Sequence, residues 1–172
     1  TTEIYTLSLH DALPICPLRR ADARSITLAL NEADNTGFEG VGYDRAGDRL
    51  FVVKEHSPRK LYEIHGIKRS LAGDMDIKII DRQAWIDKLD MASDLSSVHF
   101  DEQTGHLVLL SDEAKMMLEL DAEGELVSFR SLWRGFAGLE RSVPQAEGMT
   151  FDAQGNLYLV SEPNLFYAFE HQ

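Results

Sequence analysis

Three stretches of the chain repeat one pattern of apolar runs and polar turns. They run from Phe38 to Ile64, from Leu95 to Leu120 and from Ala146 to Phe169. Each opens with a short β-prone run (GVGYD, SVHFD, GMTFD), then a turn containing glycine, then a nearly continuous apolar run (LFVVKE, LVLLSDE, LYLVSE). Runs of this length and composition predict strands, and the unbroken apolar ones predict strands buried on both faces. A third strand is predicted in each unit, at KLYEIHG, MMLELDA and LFYAFEH.

The strand count per unit predicts the fold class. A fourth strand follows the first two units, at DIKIID and LVSFRSLW. Four antiparallel strands in a repeat of about 50 residues are typical of a β-propeller blade. We therefore predict an all-β fold, a fragment of about three four-stranded antiparallel blades from a longer propeller. The blades are expected at about 36–82, 93–134 and 145–172, within a partial propeller domain covering 17–172.

The segments around these units complete the prediction. ARSITLAL, before the first unit, is expected to be an outer strand of a preceding blade. The last unit has three predicted strands, because no fourth apolar run follows it. DRQAWIDKLDMAS, between the first two units, fits either a short helix or a surface excursion.

The first 16 residues invite a different interpretation. TTEIYTLSLHDALPI can be written, codon by codon, as a common short-read sequencing adapter read in one frame. We interpret residues 1–15 as a translated adapter and Cys16 as the junction, so that 1–16 is an artefactual segment and the native N-terminus is missing. His10, Asp11 and Cys16 then have no catalytic role. The alternative is a native N-terminal strand.

Charge and motifs exclude several functions. The chain has 172 residues and a formal net charge of -12, which disfavours nucleic acid as a partner because binding phosphates needs clustered lysine and arginine. No apolar run reaches the roughly 18 residues of a membrane-spanning helix. Motifs for a nucleophilic serine, a zinc protease, a P-loop or a redox cysteine pair are all missing from the sequence. The acidity is compatible with binding cations.

Acidic residues recur at equivalent positions of the units. One column contains Glu39 and Glu147, with Asp94 as the candidate acid of the middle unit, and a second contains Glu55, Asp112 and Glu162. Strand ends near a propeller axis converge, so these columns predict a ring of carboxylates. Like charges raise one another's pKa, and Ca²⁺, with 6–8 oxygen ligands, relieves that cost. The candidate metal ligands are Glu39, Glu55, Asp94, Asp112, Glu147 and Glu162.

The alternative for these acids is structural. They could cap turns or form ion pairs with Lys54, Arg59 and Lys115. For two further sets of equivalent positions we predict only structural roles. The aspartates before the three turns are expected to cap them, and the aromatic residues before those aspartates are expected in the core between blades. These are Asp44, Asp101 and Asp152, and Tyr43, Phe100 and Phe151.

Several motifs resemble the C-terminal part of the SdiA-regulated (YjiK-like) family. They include NTGFEGVGYD, FVVKEHSPRKLYEIHG and PQAEGMTFDAQGNLYLVSEPNLFYAF, and the resemblance covers Asn35 to about Phe169. It implies a propeller of roughly five or six blades, with further blades before this segment and a periplasmic or membrane-anchored extracytoplasmic location. The family has no well-defined activity. Ser97 departs from the family, which usually has glycine there.

Two functions remain as expectations. The first is a binding or scaffold domain with an axial divalent cation, Ca²⁺ or alternatively Mg²⁺, and a small-molecule or protein ligand of unknown identity. The second is a metal-dependent hydrolase of the lactonase, phosphotriesterase or phytase-like propeller type, in which the metal polarises an ester or activates water. The sequence assigns no catalytic residues and leaves open whether the protein is an enzyme.

Overall fold

The structure is a computed structural model that describes residues 2–6, 37–55, 58–74 and 76–171. These residues contain strands and two short helices. In chain order they are β1 (Thr2–Thr6), β2 (Phe38–Asp44), β3 (Arg49–Lys54), β4 (Lys60–His65), α1 (Ile67–Ala72), β5 (Lys78–Asp81), α2 (Gln83–Ile86), β6 (Ser97–Phe100), β7 (Leu107–Ser111), β8 (Met116–Leu120), β9 (Leu126–Ser131), β10 (Ala146–Phe151), β11 (Leu157–Ser161) and β12 (Leu165–Phe169).

The strands form three four-stranded antiparallel sheets. Blade one has the order β2-β3-β4-β5, blade two β6-β7-β8-β9, and blade three β10-β11-β12-β1. The first strands of the blades, β2, β6 and β10, are the inner strands, and β6 packs against the other two. The predicted class is confirmed: the protein is all-β, and its sheets are successive blades of a β-propeller arrangement.

The last blade differs from its prediction, because it has a fourth strand. β1 pairs antiparallel with β12, from Thr2 opposite Phe169 to Thr6 opposite Leu165. This pairing uses backbone groups, so a β-prone segment such as TEIYT can occupy the edge without a special sequence. The interpretation of residues 1–16 as an artefact stays a prediction. His10, Asp11, Cys16 and the predicted strand ARSITLAL lie outside the described residues.

The second strand of blade two shows how the core is built. Leu107 and Leu109 of β7 lie in the cluster between blades one and two, whereas Val108 and Leu110 lie in the cluster between blades two and three. All four side chains are buried. Burial of one such side chain stabilises a fold by about 1.5–3 kcal/mol. The prediction that this apolar run is a strand buried on both faces is confirmed, and it makes β7 the centre of the arc.

The inner strands of blades one and two approach each other closely because of glycine. A Cβ atom at Gly40 would lie 2.7 Å from the Cα of Ser97 and 2.9 Å from the backbone nitrogen of Val98. No side chain fits between the two backbones there. This contact sets the spacing of the inner strands of blades one and two.

The predicted turn caps are present in all three blades. The carboxylates of Asp44, Asp101 and Asp152 each accept a backbone N–H bond from within their turn, at 2.9, 2.8 and 2.9 Å. The donors are Gly47, Gln103 and Gln154. The carboxylate thus satisfies backbone donors that the strand ladder leaves unpaired. The structural interpretation of this column is confirmed.

The connection after blade one contains a short helix, one of its two predicted alternatives. α2 spans Gln83–Ile86, and Ile86 and Leu89 are buried in the cluster between blades one and two. Trp85 packs against the same cluster. The connection therefore serves as part of the core between these blades.

Candidate functional site

Glu39 and Glu147 occupy equivalent irregularities in the inner strands of blades one and three. In blade one the pairing passes from Phe38 opposite Lys54 to Gly40 opposite Val53, so Glu39 is an extra residue. In blade three it passes from Ala146 opposite Ser161 to Gly148 opposite Val160, with Glu147 as the extra residue. A bulge redirects the side chain of its extra residue out of the regular alternation. Both glutamates are exposed.

Backbone hydrogen bonds bring two further acids beside Glu147. The Oδ1 of Asp112, in the turn after β7, accepts a bond from the backbone N–H of Ala146 at 2.9 Å. The N–H of Glu162, in the turn after β11, donates to the carbonyl of Gln145 at 2.9 Å. Because Gln145 and Ala146 directly precede Glu147, both turns are held next to it.

The electrostatics of Glu147 link it to acids of both predicted columns. Partial burial raises the pKa of Glu147 above its usual value, and the negative charges of Asp112, Glu162, Glu55 and Glu39 raise it further. Like charges disfavour ionisation of a neighbour. We call Glu39, Glu55, Asp112, Glu147 and Glu162 the inner acidic cluster; they come from all three blades.

Asp94 has a different position. It is fully buried, and its carboxylate accepts hydrogen bonds from the backbone N–H groups of Asp112 at 2.9 Å and Glu113 at 3.2 Å, and from the hydroxyl of Ser111. All three donors belong to blade two. Asp94 is absent from the charges that shift the pKa of Glu147. Its carboxylate instead holds the turn that carries Asp112.

Two of the three cationic side chains proposed as structural partners contact different kinds of group. The Nζ of Lys115 lies 3.5 Å from the Oδ1 of Asp112. The guanidinium of Arg59 instead donates to the backbone carbonyls of Leu89 and Ala92. Within the described ranges, no three acidic, histidine or cysteine side chains lie close enough together to ligate one ion. The charges of the acids therefore act on Glu147, but the described carboxylates do not form a closed ligand shell.

A second ionic network, missed by the sequence analysis, surrounds Glu63 in β4. Glu63 is 1% exposed and contacts Arg82 through Nε at 2.7 Å and Nη2 at 2.6 Å, and Arg49 through Nη1 at 3.3 Å. The Nε of Arg49 also donates to the Oδ2 of Asp44 at 2.7 Å. Burial alone would raise the pKa of Glu63, but hydrogen bonds and charges from Arg82 and Arg49 outweigh it and hold the pKa below its usual value.

Blade two has a simpler version of this network. Glu119 occupies the place of Glu63, and its carboxylate contacts the Nδ1 of His106 at 2.7 Å and accepts a bond from the hydroxyl of Ser128 at 2.5 Å. These hydrogen bonds from Ser128 and His106 lower the pKa of Glu119. A signal was present in the sequence: both glutamates lie in one column, and Arg49 and His106 precede them at matching positions of the neighbouring strand.

The sequence model of the SdiA-regulated family matches residues 2–170. The chain belongs to the SdiA-regulated family. The match contains the whole range Asn35 to Phe169 over which the motifs resemble the family. No helix among the described residues of this SdiA-regulated protein is long and apolar enough to cross a membrane.

Two solved structures are similar to this SdiA-regulated chain. A streptogramin B lyase is 12% identical, with a TM-score of 0.45, over 99% of this chain and 45% of that chain. A selenomethionine-substituted virginiamycin B lyase from Staphylococcus aureus is 10% identical, with a TM-score of 0.46, over 99% of this chain and 46% of that chain. The chain spans less than half the length of each.

Proposed function

We propose that this chain is part of a binding propeller whose inner acidic cluster holds a divalent cation, Ca²⁺ or alternatively Mg²⁺. The observation that carries the proposal is the pair of equivalent bulges, which redirect Glu39 and Glu147 from two different blades. The hydrogen bonds of Asp112 and Glu162 to the residues before Glu147 add a turn from blade two and one from blade three. Carboxylate oxygens are the ligands that both ions prefer.

The spacing of the cluster favours an ion that keeps part of its water shell. No three acidic, histidine or cysteine side chains of the described residues lie at ligating distance from a common point. Ca²⁺ accepts irregular geometry and water ligands, and Mg²⁺ usually retains several waters. A bound cation would lower the repulsion among the carboxylates, so it would stabilise the blades that carry them.

The proposed role is to bind a small molecule or protein ligand next to the cation. The proposal includes the extracytoplasmic location that the family resemblance implies. It requires no nucleic acid, in agreement with the net charge of -12. The ligand would meet the cation at the exposed end of the inner strands, where Glu39 and Glu147 reach solvent.

Calorimetric titration of the protein with Ca²⁺ and with Mg²⁺ tests this function. We expect saturable binding that is at least about tenfold weaker in the Glu39→Gln, Glu147→Gln double variant, since charge count tunes affinity. Glu123→Gln is the matched control, because Glu123 is exposed in the turn between β8 and β9 and its carboxylate has no part in the cluster. Absence of heat, together with a melting temperature unchanged by a chelator, would contradict the proposal.

A metal-dependent hydrolase is the second candidate, favoured by one observation. The pKa of Glu147 is raised by burial and by neighbouring charges, as in a carboxyl group that acts as general base near a metal. Lactone and phosphoester panels with Ca²⁺ would test it. Turnover that is lost in Glu147→Gln while the cation still binds would favour the enzyme. If no compound of either panel is turned over, the hydrolase is excluded and the binding domain stays the proposed function.

A further inference from the structure

We call the space between two neighbouring blades a wedge. The wedge between blades one and two is filled by a guanidinium group stacked on an aromatic ring. The guanidinium of Arg82 lies over the ring of Trp85, 4.4 Å from its centroid, while its nitrogens bind Glu63. Trp85 packs against the cluster between these blades. A Cβ at Gly124, in the turn between β8 and β9, would overlap the Trp85 ring, so the ring contacts blade two directly.

Strand register identifies the equivalent positions in the next wedge. Glu63 pairs with Ile80 in blade one, and Glu119 pairs with Ser128 in blade two. Arg82 lies two residues after Ile80, and its N–H donates to the carbonyl of Leu61. In blade two, Arg130 lies two residues after Ser128 and pairs with Met117. Leu61 and Met117 each lie two residues before the glutamate. Arg130 is therefore the counterpart of Arg82.

The wedge between blades two and three has these polar groups, but no tryptophan is among the described residues that line it. Trp133 follows Arg130 by three residues, as Trp85 follows Arg82, but its indole nitrogen donates to the carbonyl of Ala114 and its ring faces Lys115 instead. This wedge is an open cleft of about 860 Å³, within the range of small-molecule sites. Met117 and Phe169 form part of its apolar floor, and Phe136 stands at its margin with 58% exposure. Leu132, Leu139 and Val143, from the connection after β9, are buried in the core between the blades.

Arg130 lines this cleft, and its guanidinium has no ion-pair or hydrogen-bond partner among the described residues. Its counterpart Arg82, by contrast, is held by Glu63 and by an aromatic face. The two wedges therefore differ in one feature. The arginine of the first wedge is stacked on a tryptophan ring, and among the described residues the arginine of the second is not.

We propose that the cleft between blades two and three binds a planar aromatic small molecule, whose ring takes the place that Trp85 has in the first wedge. Arg130 covers one face of the ring, as Arg82 covers Trp85, and Phe136 closes the outer side. The site is distinct from the inner acidic cluster, because none of the five clustered acids lines it. Its lining comes from β7, β8, β9, the connection after β9, the turns after β6 and β10, and the strand ends of blade three.

The charges of the lining predict which aromatic molecules bind best. Asp101, Glu119, Asp152 and Glu170 outnumber Arg130 and His171. The resulting negative potential favours a cationic ring compound over a neutral one, and disfavours an anionic one. Tryptamine, indole and indole-3-acetate carry one ring system with three different charges, so they separate the stacking contribution from the electrostatic one.

Ligand-observed NMR and calorimetry on the full chain test the site with these three probes. We expect saturable binding in the order tryptamine, indole, indole-3-acetate. Phe136→Ala and Arg130→Gln should each weaken indole binding by about three- to tenfold, the range of aromatic and cation–π contacts. Phe38→Ala and Arg134→Gln are matched controls, since Phe38 is 49% exposed in blade one and Arg134 is an exposed arginine that does not line the cleft.

Three outcomes would overturn the proposal. The first is no saturable binding of any probe at millimolar concentration. The second is binding that both cleft variants leave unchanged, and the third is an equal loss in the control variants. Melting temperatures measured for all four variants exclude unfolding as the cause of a loss. Failure here leaves the cation proposal intact, because none of these residues belongs to the inner acidic cluster.

Discussion

Glu63 and Glu147 are both glutamates on blade strands, yet their surroundings are opposite. Glu63 is buried and bound by two arginines, which hold its pKa below the usual value. Glu147 is exposed at a bulge and surrounded by four other carboxylates, which with partial burial raise its pKa. Arginine side chains of the protein neutralise Glu63, whereas the charged groups that shift the pKa of Glu147 are all acidic.

The difference assigns Glu63 a structural role, and under the proposed function it assigns Glu147 a ligand-binding role. A buried charge persists only where it is paired and hydrogen-bonded, and breaking such a pair is strongly destabilising. A group of like charges at an exposed end costs stability in the unliganded fold, and a ligand of opposite charge removes that cost. We therefore expect substitutions at Glu63 to change folding and substitutions at Glu147 to change binding.

The largest expected effect is at Glu63. Glu63→Gln removes the charge that neutralises Arg82 and Arg49, so it should lower the free energy of unfolding by about 3 kcal/mol. Urea denaturation at pH 7 measures this. Glu123→Gln, at an exposed position, is the control and should change stability by less than about 0.5 kcal/mol. A Glu63→Gln variant as stable as the wild type would show that the buried ion pairs of Glu63 do not stabilise the fold.

The second-largest loss of stability is expected at Asp94, whose substitution should affect both folding and cation binding. Asp94→Ala leaves the backbone N–H groups of Asp112 and Glu113 without their buried acceptor, which should cost about 1–3 kcal/mol. Because the same turn carries Asp112, cation binding should weaken as well. Chemical denaturation and calorimetric titration measure the two effects. Cation affinity that stays at the wild-type value would show that Asp94 has no positioning role.

The pH dependence of stability should differ between the two glutamates. The folded pKa of Glu63 is lowered, so its contribution is present above the unfolded value of about 4.3 and is lost as the pH falls through the folded value. The destabilisation by Glu63→Gln should therefore shrink in acid. Denaturation of wild type and variant from pH 7 to pH 3 measures this. A difference that stays constant over that range would contradict the assigned ion pair.

The smallest effect is at Glu147, and its sign is opposite. A raised folded pKa means that ionisation costs stability as the pH rises from the unfolded to the folded value. Glu147→Gln removes this cost at pH 7, and because solvent screens an exposed charge, the gain should be about 0.5 kcal/mol or less. The variant should also lose stabilisation by Ca²⁺. Thermal melts with and without Ca²⁺ measure both, and a variant that Ca²⁺ stabilises as much as wild type would refute the role of Glu147.

Much of the fold could be predicted because its signals are local and repeated. The alternation along SVHFD and LVLLSDE predicts strands, and the buried residues of β7 on both faces follow from its unbroken apolar run. The turn aspartates act on backbone groups within a few residues, so their role follows from spacing. The fourth strand of blade three was missed because β1 and β12 lie at opposite ends of the chain.

The candidate site stays a prediction. Repeat alignment placed the five acids of the inner cluster in two columns, and in the structure the charges of the other four raise the pKa of Glu147. Alignment could not show that the carboxylate of Asp94 already accepts hydrogen bonds from backbone N–H groups of its own blade. It also missed Glu63, because a buried ion pair depends on Arg82, 19 residues away, crossing to the neighbouring strand.

The repeat, the strands, the turn caps and the recurring residue types follow from the sequence, since they depend on side-chain alternation and on contacts within a few residues. Folding in three dimensions determines which carboxylates contact arginine or lysine, which lie near other carboxylates, and which wedge between blades is filled. Those outcomes depend on register, bulges and connections. A shift of one residue in pairing turns a side chain to the other face, so composition alone cannot specify its neighbours.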